Sequence, residues 1–238
     1  MTLQEFETKG RRCLFYADEQ PEVLLVEPLD ERELEALDEE LQIIKQGCSR
    51  RIAYACLIVK DWNSELAPWT AAPVFGNVPF GEGASDTLKV IEDGVVPEMM
   101  RRFGTLKGAD IIIGGYSLAG LFALWCGYES DLFTAVAAAS PSVWYPGWMD
   151  YVGHRKPKIG RIYLSLGDAE AKTKNATMST VEQNIRDMSD ILKKLPGVDS
   201  TLVFNPGGHF KDPVLRTVQA FIWVLRPLIR PPRNHQLS

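Results

Sequence analysis

One stretch constrains this chain more than any other: Ile111-Ile112-Ile113-Gly114-Gly115-Tyr116-Ser117-Leu118-Ala119-Gly120, followed by Leu121-Phe122-Ala123-Leu124-Trp125. Consecutive β-branched residues predict a strand, the glycines a tight turn, and the apolar run a helix. A serine in so sharp a strand-to-helix turn needs small residues two positions before and two after it. Gly115 and Ala119 meet that demand, and Gly120 adds room. Ala119 stands where such turns usually carry a second glycine. The turn offers the Ser117 hydroxyl at a helix N-terminus, where the dipole favours developing negative charge. A strand, a turn holding serine, and a helix form the setting of a nucleophile. The bland alternative is a serine that only caps the helix.

Around this turn, strands and helices alternate. Extended segments are expected at 13–16 and 22–27, then a helix over 30–46 with Leu34, Leu37, Leu41 and Ile44 at helical spacing. The acids between them read as a solvated face. A strand over 51–59 is apolar enough to be buried on both faces. Residues 60–84 form a long loop rich in Pro, Gly and Trp. Ser85 can cap a helix reaching about residue 103, with Pro97 as a kink site. Strands follow at 111–113, 132–138, 161–166 and 201–204. Helices are expected over 118–126, through Val181, Ile185, Met188 and Leu192, and from Asp212 (N-cap) and Pro213 to about 225. This order predicts one α/β domain over 1–238, with a mostly parallel central sheet, helices on both faces and no sizeable cap domain. Residues 226–238, with Arg226, Arg230 and Arg233 among Pro227, Pro231 and Pro232, read as a flexible basic tail.

In such sheets the reacting groups gather at the carboxyl ends of the strands. A serine there needs a base, and the chain order is serine, acid, histidine. His209 lies directly after the last strand in Asn205-Pro206-Gly207-Gly208-His209-Phe210. His154 falls before the strand that should deliver the acid, and His235 lies in the tail. His209 is therefore the expected base. The acid should follow the 161–166 strand in Gly167-Asp168-Ala169-Glu170. Glu170 reaches further and is favoured. Asp168 is the alternative acid, since it can also serve as a turn cap, and a serine–histidine dyad is a third reading. The backbone N–H of Leu118 is one expected oxyanion donor, and Trp62, after the 51–59 strand, is first choice for the other, with Asp61 or Asn63 next. Trp62, Tyr116 and Trp144 are candidate pocket residues. Trp69 and Trp148 also fall in loops after strands, not in helix interiors, and for each tryptophan packing under a loop is the competing reading. Lys172 and Lys174 read as surface charges.

Composition narrows the partners. With 26 Lys+Arg against 31 Asp+Glu, the net charge is −5 and the pI about 5.3, the wrong sign for nucleic-acid binding. No apolar run approaches the roughly 20 residues of a membrane span. The first seven residues show no signal-peptide core. Four cysteines without CxxC spacing suit a reduced, cytoplasmic protein. No histidine pair suggests zinc. Gly81-Glu82-Gly83 follows no strand and suggests no dinucleotide. A small-molecule ester is the expected partner, with no cofactor, no metal, no nucleic acid, no membrane and no indicated homo-oligomer.

Four stretches together carry a resemblance: Gly-Tyr-Ser-Leu-Ala-Gly at 115–120, Ser-Pro-Ser-Val-Trp-Tyr at 140–145, Leu-Gly-Asp-Ala-Glu at 166–170 and Gly-Gly-His-Phe at 207–210. The chain resembles the α/β-hydrolase superfamily. More narrowly, it is similar to the esterase family of esterase D, enterochelin esterases, feruloyl esterase domains and mycolyltransferases. The resemblance spans about residues 22–225. It implies serine-dependent hydrolysis of carboxylic esters, and an acid about three residues past a glycine closing its strand, which points to Glu170. Esterase D-like thioesterases usually show a His-Gly oxyanion loop, where this chain has Asp61-Trp62-Asn63. An acyltransferase of the same fold, or a hydrolase-like binding protein without turnover, are the alternatives.

Overall fold

The computed structural model describes residues 3–226. Met1, Thr2 and the expected tail beyond Arg226, including Arg230, Arg233, His235 and the prolines 227, 231 and 232, lie outside the described residues. Among the described residues eight strands form one sheet: β1 (Gln4–Thr8), β2 (Arg11–Ala17), β3 (Val23–Leu29), β4 (Ile52–Ile58), β5 (Asp110–Tyr116), β6 (Ala135–Ala139), β7 (Arg161–Gly167) and β8 (Asp199–Asn205). Their order is β1-β2-β4-β3-β5-β6-β7-β8. β2 runs antiparallel to β1 and β4, and every pairing from β4 to β8 is parallel.

Among the described residues the α-helices are α1 (Leu37–Gly47), α2 (Trp62–Glu65), α3 (Ala84–Val90), α4 (Val96–Arg102), α5 (Ser117–Glu129), α6 (Trp148–Gly153), α7 (Val181–Lys193) and α8 (Pro213–Leu225). Strand side chains alternate between two apolar layers. Leu24, Val26, Ile111 and Ile113 face the layer completed by α4, α5 and α7. Val23, Leu25, Tyr54 and Ile112 face the layer of α1 and α8. The expected mostly parallel central sheet with helices on both faces describes this architecture. The connection from β4 to β5 carries α2, α3 and α4, and that from β6 to β7 carries the short α6. No described helix is long and apolar enough to cross a membrane.

Several local expectations are corrected. β1 has no signal in the sequence, because a short, polar edge strand gains its pairing only from β2. The 30–46 helix opens with a separate 3-10 turn at Glu33–Ala36. The 85–103 helix is interrupted: Val96 N–H bonds the Ile91 carbonyl five residues back, a wide turn that lets Pro97 enter at the start of α4 rather than mid-helix. Gly83, not Ser85, precedes α3. Asp212 stands at the N-cap of α8 with φ 53° and its side chain makes no cap bond.

The acid run of α1 is also not wholly solvated. Glu40 is 6% exposed and faces β3, where Glu27 is 1% exposed. The Tyr54 hydroxyl donates to Glu27 Oε2 at 2.7 Å. Burial pushes the Glu27 and Glu40 carboxyls up, and Glu33 to about 7. Sequence periodicity registers that Glu40 lies on the helix face of Leu37, Leu41 and Ile44 only as an exception to the pattern.

Candidate active site

Three loops converge at the carboxyl edge of the sheet, after β5, β7 and β8. The first is the turn into α5. Ser117 adopts φ 59°, a left-handed conformation that costs a non-glycine residue roughly 1–2 kcal/mol. The turn is close enough that a Cβ at Gly115 would lie 2.7 Å from the Ala119 Cβ. This is the small-residue demand read from the sequence. Ser142 N–H donates to the Ser117 carbonyl at 3.0 Å, tying the turn to the loop after β6.

His209, from the loop after β8, meets the serine. Its Nε2 stands 2.9 Å from Ser117 Oγ, and its Nδ1 stands 2.7 Å from Glu170 Oε2. An ionised carboxylate only accepts, so Nδ1 carries the proton and the neutral ring's Nε2 accepts from the serine hydroxyl. The chain Ser117–His209–Glu170 can therefore take the serine proton onto the imidazole. The Glu170 side chain is 4% exposed and that of His209 20%. Burial pushes the Glu170 carboxyl up. The hydrogen bond and charge of His209, the Gly167 N–H and the Ser140 hydroxyl outweigh it and hold the group below the ordinary carboxylate value. Gly167 N–H donates to Glu170 Oε1 at 2.7 Å.

Asp168, the alternative acid, does not reach the imidazole. Its Oδ1 accepts from Gly207 N–H at 2.8 Å, so it pins the β7 loop to the β8 loop. Leu118 occupies the first turn of α5, where backbone N–H groups have no intrahelical acceptor. Trp62 opens α2, whose N-cap Asp61 accepts from Ser64 N–H through its side chain at 3.1 Å. Tyr116, expected in the pocket, is 8% exposed and packs toward α8, and its hydroxyl donates to the His209 carbonyl. It anchors the histidine loop. Trp144 is 8% exposed and meets Phe75 and Phe80 with ring centroids 6.4 and 6.1 Å away. Trp148 is fully buried in α6, and Trp69 stacks on it and donates to the Pro146 carbonyl at 2.8 Å. Both pack the molecule under its loops. Lys172 and Lys174 are exposed.

Two further residues of this region are not among the site residues expected from the sequence. Ser142 Oγ stands 3.4 Å from Ser117 Oγ. Arg216, in the first turn of α8, is 2% exposed and donates to Glu170 Oε1 at 2.8 Å. Its one sequence cue is a cation at a helix N-terminus, where the dipole disfavours it. Among the described residues no group of three or more His, Cys, Asp or Glu is arranged to hold a metal ion.

No protein-family model and no curated protein matches the chain by sequence. Solved structures do match it in shape. An IroE-like serine hydrolase from Shewanella oneidensis superposes with a TM-score of 0.79 at 15% identity, covering 94% of this chain and 80% of that one. The chain has the α/β-hydrolase fold. Two further proteins share this α/β-hydrolase architecture. The siderophore hydrolase EstB from Aspergillus nidulans superposes with a TM-score of 0.72 at 13% identity, over 97% of this chain and 95% of that one. The enterobactin esterase FES from Shigella flexneri gives 0.63 at 15% identity, over 95% of this chain and 61% of that one. Ser117, Glu170 and His209 stand in the chain in the order serine, acid, histidine expected from the sequence.

Proposed function

We propose that the protein hydrolyses carboxylic esters through a serine-bound acyl-enzyme. One observation carries this reading: the unbroken hydrogen-bond chain from Ser117 Oγ through His209 to Glu170 Oε2. Three structural neighbours carry hydrolase or esterase in their names, which supports the class of reaction.

Ser117 Oγ attacks the acyl carbonyl carbon, and its proton passes to His209 Nε2. Glu170 holds the imidazole in the required tautomer and balances the imidazolium. The carbonyl electron pair moves onto oxygen, where Leu118 N–H and Trp62 N–H donate to it. The oxyanion collapses, the ester C–O bond breaks, and the leaving alkoxide takes the proton from Nε2. Water then attacks the acyl carbon as His209 takes its proton. The C–Oγ bond breaks, Ser117 recovers a proton, and the carboxylic acid leaves. Trp144 with Phe75 and Phe80 supplies an apolar wall for the acyl or alcohol portion.

The test is hydrolysis of p-nitrophenyl esters from acetate to octanoate, with fluorophosphonate labelling in parallel. Wild type should turn over at least one ester and take one label at Ser117. Ser117→Ala should lose both. A Ser117→Ala protein with full ester turnover sinks the mechanism.

A further inference from the structure

Arg216 is a fully buried cation in the first turn of a helix, an unusual residue in an unfavourable place. Its guanidinium lies within hydrogen-bond distance of five acceptors. Nη1 reaches Glu170 Oε1 at 2.8 Å, Ser140 Oγ at 3.1 Å and the Tyr116 hydroxyl at 3.3 Å. Nη2 reaches the carbonyls of Gly208 at 3.0 Å and Pro206 at 3.2 Å. The space it fills is shaped for it: a Cβ on Gly167 would lie 2.9 Å from both Nη atoms. A buried ion pair gives little net stability over apolar side chains of similar volume. Stability alone therefore does not account for a guanidinium here, but its choice of partners does. They are the carboxylate oxygen that His209 does not use, and carbonyls on the loop that carries His209.

We propose that Arg216 is a positioning residue of the active site, which fixes Glu170 and the 206–209 loop against each other so that the imidazole meets Ser117 in one geometry. This inference rests on the proposed ester hydrolysis. Arg216 touches neither Ser117 nor the space a substrate would occupy, and it acts through Glu170 and the loop. Glu170 Oε1 is held by two donors, Arg216 Nη1 and Gly167 N–H, which leaves Oε2 aimed at His209 Nδ1. Only a planar fork can span the acid and the two carbonyls at once, so lysine cannot substitute. The cation also balances the Glu170 charge beside His209. Without it the uncompensated carboxylate favours the imidazolium, and the acid limb of kcat/KM moves to higher pH. The other ionisable groups of these loops are Tyr116, whose hydroxyl burial pushes up, Asp168 against Gly207, and Lys211, whose stem lies beside Gly207. All of them are retained in every variant compared.

The test compares wild type with Glu170→Gln, Arg216→Met, Arg216→Lys and the double variant Glu170→Gln/Arg216→Met in the full chain, using p-nitrophenyl acetate across the pH range with thermal unfolding alongside. Arg216→Met should lose about 10–100-fold in kcat, the scale for partners that orient an active-site ligand, with KM little changed and the acid limb moved up. Arg216→Lys should keep the acid limb yet lose kcat. The double variant should be no more than about threefold slower than Glu170→Gln, because residues acting as a unit are not additive. Losses that multiply in the double variant, or full kcat in either single Arg216 variant, overturn the proposal. Arg216→Met strands a buried carboxylate and can unfold for that reason alone. The double variant buries neither charge, and its comparison with Glu170→Gln then decides. The far-downfield Nδ1 proton signal of His209 gives a reading without turnover: present in wild type, and moved from its wild-type position in Arg216→Met. A wild type that neither hydrolyses esters nor takes the fluorophosphonate fails the hydrolase reading. An unchanged position of that proton signal in Arg216→Met fails this one.

Discussion

Glu170 and His209 are joined at 2.7 Å across two loops that lie 39 residues apart in the chain, while Asp168, two residues before Glu170, turns away to the Gly207 N–H. The two carboxylates of one loop thus have different partners, one bonded to the imidazole and the other closing the loop. Replacing each should separate the two roles. Glu170→Gln should lower kcat by about 10²–10⁴-fold with a small change in KM, the range for removing the orienting acid of a triad. Asp168→Ala should leave kcat within about threefold and cost about 1 kcal/mol of stability, the net worth of one hydrogen bond. Steady-state kinetics and urea unfolding of both variants check this, and a larger kcat loss in Asp168→Ala would reverse the assignment.

Ser117→Ala and His209→Ala should each cost on the order of 10⁴–10⁶ in kcat. The double variant should be no slower than either single one, since neither group works alone. Single-turnover measurements with p-nitrophenyl acetate give the comparison. A double variant slower by the product of the two losses would mean independent roles.

The elbow makes a steric prediction. A methyl at position 115 would stand 2.7 Å from the Ala119 Cβ and 2.8 Å from the Ala119 carbonyl carbon. Gly115→Ala should therefore destabilise by about 1–3 kcal/mol, as overpacking does, and should impair labelling of Ser117 because the turn must open. Gly115→Ala in an Ala119→Gly background should recover part of both. Melting temperatures and labelling rates decide the matter, and an unaffected Gly115→Ala protein would contradict the close approach.

The Glu27–Glu33–Glu40 cluster predicts a stability that declines with pH. Burial raises these carboxyls, Glu33 from 4.5 to about 7. A carboxyl raised in the folded state binds its proton there more tightly than in the unfolded chain. Its stabilising contribution is full below about 4.5 and is lost as pH rises toward and through 7. Glu40→Gln, neutral at every pH, should be more stable than wild type by roughly 1–3 kcal/mol at pH 8. At pH 5 it should gain much less. Urea midpoints at the two pH values test this, and an equal gain at both would mean that charge burial is not the cause.

The sequence by itself determined the elements whose causes are local. Ile111-Ile112-Ile113 with the small residues Gly115 and Ala119 specifies the strand, the turn and the placing of Ser117, because steric demand in a tight turn is a matter of near neighbours. The apolar spacing along α7, the start of α8 at Asp212-Pro213, and the position of His209 just after β8 follow from the same short-range logic. Tertiary structure alone decided what depends on contacts between distant segments. Asp168 and Glu170 are two carboxylates in one loop, and only the approach of the β8 loop, 39 residues on, distinguishes the one that meets His209. β1 is a strand only because β2 pairs with it. Glu40 and Trp148 lie in segments whose composition suits solvent or loops, yet β3 covers one and the packing of α6 buries the other. Arg216 is the clearest case. In sequence it is a single cation in an apolar helix, and its partners at positions 116, 140, 170, 206 and 208 come together only when the sheet edge closes around it.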